Sequence, residues 1–378
     1  MLGHREALTK IVDGDAEFHR VPDVFYRAAA GCAEPVLRLD DGGPWWCCSF
    51  AAATEVLDRS AVFGMGGTLA TRTTPGDLAQ HWLELVDGES HRLQRRVVQV
   101  AMSEVALAAS LDRTLGGLDL PASCDVMKDL AEPFWRRFQA DWLGLAEPHL
   151  TELVERIPAL LAVVMDLERG PEDEQTAAEA AATLARLIGD GCGTGGVIGA
   201  LVALGLSPTQ VAAHVVNLVV DMSVIPAGLG ICLTRIIDDP QARRDAAVAD
   251  RLPLVIDECL RLDPPQLLLV RNAIAAVELG GHTICPDDQV IVVVGMANRD
   301  AGFFPDPHAY RLRRRTALSF GLGRHSCLGR RTFGLVAEAL VGSLLRRNPG
   351  LHRAGESAHA TQVGIRSIEA LPVRLAAA

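Results

Sequence analysis

Along most of the chain, apolar residues recur every three or four positions, the spacing that turns one face of a helix toward a core. "SHRLQRRVVQVAM" reads as such a helix with Ser90 as its N-cap, and "ERGPEDEQ" as an acidic turn between helical runs over 125–165 and 172–190. "GDGCGTGG" breaks the next helix. "LSPTQVAAHVVNLVVD" places Ser207 as N-cap and Pro208 at the first helical position, then enters the most apolar window, Val215 to Leu233. "RLPLVIDECLRL" is a helix stopped by Pro264 and Pro265, and "LGRRTFGLVAEALVGSLLRRN" one that ends before Pro349. The period shortens in "LLLVRNAIAAVELGGHTICPDDQVIVVV", which predicts short strands with turns at Gly280–Gly281 and Pro286–Asp288. "WWCC" is a further strand, passing into a helix near Ala51, and "RSIEALPVRL" closes the chain as another. Gly64 to Gly88 reads mainly as loop. The fold class that follows is mainly α with small β-sheets (α+β), the β parts lying near 36–50, 267–295 and 360–376.

Composition narrows this picture. A chain of 378 residues, 49% hydrophobic, can bury a large core, and length alone would allow two or three domains. A formal net charge of −11 argues against nucleic acid as a partner. The apolar window contains Asn217, Asp221 and Pro226, which fits a buried helix better than a membrane span. The first residues lack the apolar core of a signal peptide, so a soluble, cytoplasmic protein is expected. Nine cysteines without a C-x-x-C pair point to small buried hydrophobes, not to a disulfide framework or a cysteine-rich zinc module.

One cysteine stands apart. In "FGLGRHSCLG", Cys327 is flanked by Gly321, Gly323 and Gly329, which permit positive φ and close backbone approach. It is expected at the start of a helix, where unpaired N–H groups and nearby Arg324 would lower its pKa. Such a thiolate suits a nucleophile, a metal ligand or a purely structural turn. His325 is close in sequence but has no visible third member for a catalytic triad, and no regular Cys or His spacing supports zinc.

The pattern Phe320, Gly323, Cys327, Gly329 resembles the haem-binding signature of the cytochrome P450 family. "DECLR" is similar to its E-x-x-R pair, as Glu258 and Arg261, and "DGESHRLQRR" to its H-x-x-x-R helix, as His91 and Arg95. "ANRD", "FFPDPHAY" and "IRSIEALPVRL" follow in the family's order. The resemblance covers nearly the whole chain and implies one cytochrome P450 domain over 1–378, of the bacterial soluble type. It implies haem b (iron protoporphyrin IX), with Cys327 as the axial metal ligand, hydrogen bonds to its sulfur from the following N–H groups, and Phe320 packed beside it. It assigns the haem propionates to His91, Arg95, Arg271 and His325. It makes Glu258 and Arg261 a buried structural pair. Relatives often place Arg or His one residue before the aromatic of "PDPHAY"; Ala309 stands there, so a three-member side-chain network is not expected.

The long central helix departs from the family. An acid–threonine pair usually relays protons to dioxygen, but here "LVVDMSVIPAG" puts Val224 or Ile225 at the threonine position. Pro226 would free the Met222 carbonyl and bend the helix. Asp221 and Ser223 are the candidate substitute proton donors, against simple capping and local bonding. Three functions follow. The first is a monooxygenase-type enzyme acting on a small, largely apolar or aromatic molecule of specialised metabolism. The second is atypical haem-thiolate chemistry: peroxide-driven oxidation, rearrangement or nitrene-type transfer. The third is a non-catalytic haem binder. Arg313, Arg314, Arg315, Arg324, Arg330 and Arg331 suggest docking of a separate acidic ferredoxin, itself served by a reductase.

Overall fold

The computed structural model describes residues 2–30, 34–65, 81–83, 86–116, 120–156, 171–189, 195–312 and 317–375. Two compact units emerge, each assembled from separated stretches: 1–64, 118–133 and 224–378 in the first, 65–117 and 134–223 in the second. All strands among the described residues lie in the first unit; the second is helical. The expected class is therefore observed, with about 56% of the described residues in helix.

The first unit is organised by a five-stranded sheet. Its order runs Val36–Arg38, Trp45–Cys47, Gln289–Val293, Leu268–Ala273, Phe63–Gly64. Trp45–Cys47 pairs in parallel with Gln289–Val293, which explains why strands far apart in sequence share one apolar alternation. Cys47, Ala53, Val56, Phe63, Val290, Val292 and Val294 form a buried cluster on it. Three helices not expected from the sequence, His4–Val12, Ala16–Arg20 and Pro22–Ala29, build a second cluster around Phe18, Phe25 and Tyr26. Their short apolar periods become legible only once the partner surface exists. Ala358–Gln362 and Ile365–Ala370 form a hairpin, and Pro372–Arg374 pairs with Ser123–Asp125 and His352–Arg353. The predicted turns are present, with positive φ at Gly280, Gly281 and Asp287.

Several boundaries differ from expectation. The helix predicted to begin at Ser90 spans Gly88–Ala101 with Asp87 at its N-cap. Gly88, at φ +66°, turns the chain one residue after that cap, and the Asp87 carboxylate accepts from the Met65 N–H. Ser90 lies inside the helix, where its hydroxyl accepts from Gln94. The run over 125–165 begins as strand, passes through a π-turn at Met127–Ala131 and continues as Glu132–Leu143 and Glu147–Glu155; its remainder lies outside the described residues. Pro171–Gly189 matches the next expected helix.

The Ser207 prediction is met in detail. Its hydroxyl accepts from the Gln210 N–H while the Gln210 side chain accepts from the Ser207 N–H, a reciprocal cap that starts Pro208–Asp221. The helix gives way to a 3-10 turn at Met222–Val224 and resumes as Ile225–Asp238, with Pro226 in its first turn. The segment Pro208–Asp238 is long and apolar enough to cross a membrane by length and composition, with mean hydropathy 1.9, yet 78% of its most apolar window is buried in the fold. It is a core element.

Candidate functional site

The cysteine turn is built by glycine geometry in the first unit. Gly321 and Gly323 take φ +65° and +70°, conformations that favour glycine. A Cβ on Gly323 would meet the Leu57 carbonyl oxygen at 2.6 Å, so the turn packs on the end of Phe50–Asp58 only because that side chain is missing. The Cys327 N–H donates to the Phe320 carbonyl at 2.8 Å and closes the loop. Gly329 behaves differently from expectation: its φ is −74°, and it acts as N-cap of Arg330–Arg347. Its value lies in proximity, since a Cβ there would stand 3.5 Å from the Cys327 sulfur. Cys327 accordingly precedes the helix by three residues instead of starting it. Cys327 forms no disulfide and, like Cys285, is exposed, whereas Cys47, Cys48, Cys124, Cys232 and Cys259 are buried.

Behind the turn, aromatic packing is close. Phe320 lies 5.9 Å from Phe333 between ring centroids, with the Arg330 guanidinium 5.6 Å from the Phe320 centroid. A Cβ on Gly228 would strike Phe333 at 2.6 Å, so the Ile225–Asp238 helix carries glycine where that ring presses against it.

The turn is held from beneath by a polar network. Glu258 and Arg261, at 2% and 1% exposure, form a bidentate pair with both bonds at 2.8 Å. Arg261 also donates to the carbonyls of Asn298, Pro307 and Ala309 at 2.9, 2.8 and 3.2 Å. The Arg311 N–H donates to Glu258 at 2.9 Å. Backbone groups therefore complete the network that lacks a side chain at Ala309. Asn298, fully buried, carries it onward: its side chain accepts from the Leu318 N–H at 2.7 Å and donates to Ser319 at 3.0 Å. Ser319 donates in turn to the Leu260 carbonyl at 2.9 Å. The sequence displayed Asn298 within "ANRD", but its contacts are long-range and gave no local signal.

Other expected residues are distributed over both units. Arg271 is buried on Leu268–Ala273, and His325, half-buried, lies on the cysteine turn; both share the first unit with Cys327. His91, buried, and Arg95, half-buried, lie one turn apart on Gly88–Ala101 in the second. Asp221 and Ser223 are exposed at the end of the second unit's long helix, and Asp221 accepts from Asn217 at 2.7 Å. Arg313, Arg314 and Arg315 lie outside the described residues; Arg324, Arg330 and Arg331 are described, and Arg330 pairs with Asp257 at 3.4 Å.

The donor set fits haem. One exposed thiol sits in a glycine-lined turn with its sulfur close to a residue that has no side chain. Among the described residues no group of three or more His, Cys, Asp and Glu could hold a metal ion. A single protein sulfur suits iron whose other ligands come from a macrocycle.

Comparison with known proteins agrees. Residues 250–347 match the family model described as cytochrome P450. The chain is 36% identical over 159 residues to 6-deoxyerythronolide B hydroxylase of Saccharopolyspora erythraea, covering 41% of this chain and 39% of that relative. It is 27% identical to 20-oxo-5-O-mycaminosyltylactone 23-monooxygenase of Streptomyces fradiae, over 86% of this chain and 82% of that one. The higher-identity matches thus span about a third to two-fifths of the relatives' length. The crystal structure of epothilone D-bound cytochrome P450epoK superposes with a TM-score of 0.84 at 20% identity, covering 97% of this chain and 99% of that one.

Proposed function

We propose that the chain is a cytochrome P450, a haem-dependent monooxygenase-type oxidoreductase acting on a small, largely apolar or aromatic molecule of specialised metabolism. The observation that carries this reading is the exposed Cys327 on a glycine turn tied through Asn298 to the Glu258–Arg261 pair. Bacterial relatives named 6-deoxyerythronolide B hydroxylase and 20-oxo-5-O-mycaminosyltylactone 23-monooxygenase support the reading.

When bound, haem supplies the redox-active iron at which an oxidant is activated. The chain's own residues divide the remaining work. Cys327 would ligate the iron, and the Gly321–Gly323 backbone keeps its sulfur in place. With haem bound, Phe320 would pack beside that sulfur and exclude water. By the family resemblance, Arg271, His325, His91 and Arg95 would take the haem propionates. Asp221 carries a proton at its carboxylate, and Ser223 passes one through its hydroxyl. Arg324 and Arg331, with the neighbouring arginines, receive an acidic ferredoxin that brings electrons from a reductase. The protein works in the cytoplasm.

A second reading has its own support. Val224 or Ile225 occupies the place of the usual threonine, and neither can donate a proton. This favours peroxide-driven oxidation, rearrangement or nitrene-type transfer. One experiment separates the two: product formation from candidate substrates with dioxygen and NAD(P)H, against peroxide without dioxygen. The monooxygenase reading expects product only in the first arm, with Asp221→Asn diverting most reducing equivalents to peroxide. Equal product without dioxygen would overturn it.

A further inference from the structure

Asp257 and Glu258 are neighbours on the helix Leu252–Leu262 but meet different surroundings. Glu258 is buried against Arg261. Asp257 reaches instead to the first residue of the helix Arg330–Arg347. Arg330 Nη2 donates to Asp257 Oδ2 at 3.4 Å, and each side chain is 49% exposed. The same guanidinium stands 5.6 Å from the ring centroid of Phe320. Among the described residues it has no other hydrogen-bond acceptor, carboxylate or ring in contact. Its position is therefore set by one anion and one aromatic face.

That aromatic face belongs to the cysteine loop. The Cys327 N–H donates to the Phe320 carbonyl at 2.8 Å, and Gly329, next to Arg330, comes so near the sulfur that a Cβ there would stand 3.5 Å from it. The cation thus meets the loop across a ring instead of across water. A charge acting through an apolar path is screened less than one acting through solvent. Asp257 is its counter-charge. Burial raises the Asp257 carboxyl above its ordinary value while Arg330 opposes the rise, so the pair is not fully hydrated. Burial also raises Glu338, further along the Arg330–Arg347 helix, with Arg331 opposing and Asp257 adding to the rise.

We propose that Asp257 and Arg330 are positioning residues that set the reduction potential of the haem iron: Arg330 places a positive charge beside the cysteine loop, and Asp257 fixes that charge and offsets it. The proposal rests on the reading of Cys327 as the iron ligand. The ferrous state carries one electron more than the ferric, so a nearby cation favours it and a nearby anion disfavours it. The two residues therefore pull the potential in opposite directions. Arg330 serves electron uptake by its fixed place against Phe320, a task separate from the docking assigned to Arg324 and Arg331.

The test is an optical redox titration of the haem-loaded protein at neutral pH and low salt, with dithionite as reductant and ferricyanide as oxidant. Asp257→Asn should raise the midpoint potential, so that ferrous haem is several-fold more abundant at the parent's midpoint. Arg330→Gln should lower it by a similar factor. The double variant should return close to the parent. Because half of each side chain is exposed, both shifts should shrink at about 1 M salt, where charges are screened within roughly 3 Å. A merely structural pair behaves differently: losing either member loosens the loop and moves both variants the same way, whatever the salt. Shifts of one sign, or an unmoved potential in both single variants, would overturn the proposal. If one variant fails to take up haem, the sign and salt dependence of the other decide. The ferrous carbon-monoxide spectrum of the parent is recorded beside them. Without its thiolate signature the reading of Cys327 fails and this proposal with it; with that signature and unmoved potentials, only the role of the pair is lost.

Discussion

The cysteine turn and the Asn217–Ser223 stretch solve one problem, holding polar groups in a hydrophobic protein, by opposite means. Around the turn, Arg261 finds most of its partners among backbone carbonyls, and the loop is closed by main-chain bonds. At Asn217–Ser223, side chains hold side chains, with one backbone donor from Leu83. Backbone partners are indifferent to residue identity, which is why Ala309 can replace a longer side chain without breaking the network. Side-chain partners are not, and this is where the chain departs from its family.

Predictions that probe this contrast run from large to small. Arg261→Ala removes one member of a fully buried ion pair and should cost roughly 3–5 kcal/mol, seen as haem-free or insoluble protein. A folded, haem-loaded Arg261→Ala enzyme would mean the backbone carbonyls can do without it. Gly323→Ala forces a Cβ to 2.6 Å from the Leu57 carbonyl in a positive-φ conformation. It should cost about 1–3 kcal/mol, read as a lowered Tm and weaker haem retention. An alanine variant as stable as the parent would show that the turn can move.

The smallest effect concerns pH. Burial, with His81 adding to it, pushes His214 down to about 4; burial, with Arg366 adding to it, does the same to His359 in the other unit. Both folded values lie below the unfolded one, about 6.5. Between these limits the unfolded chain binds more protons, so stability is full above about pH 6.5 and falls as pH drops toward 4. His214→Leu should flatten that slope by on the order of 2 kcal/mol, measured by denaturant unfolding from pH 7 to 4.5. An unaltered slope would show that His214 protonates as readily in the folded protein as in the unfolded chain.

The same contrast explains what the sequence revealed. Local rules found the Ser207 cap, the strands around Gly280–Gly281 and the helix after the cysteine turn, because each depends on neighbours in the chain. The helices over 4–29 were invisible, since their apolar faces have meaning only against Leu267 and Val293, some 250 residues away. Cys327, Glu258 and Arg261 were readable as a spaced motif. Asn298 and Asn217 were not given their roles, because an asparagine's partners are set by what folding brings to it: Leu318 and Ser319 for one, Leu83 for the other. Ser90 was misjudged for a related reason, since a glycine with positive φ shifted the helix start upstream.

Asn298 belongs to two networks through different atoms: its main-chain oxygen serves the guanidinium, its amide serves the loop. A disturbance of the Glu258 carboxylate therefore reaches the sulfur without any atom of the pair touching it. If Cys327 ligates the haem as proposed, the optical band of that haem is a gauge of an interaction nearly seventy positions earlier in the chain, and its broadening should rank ion-pair variants before any of them visibly unfolds.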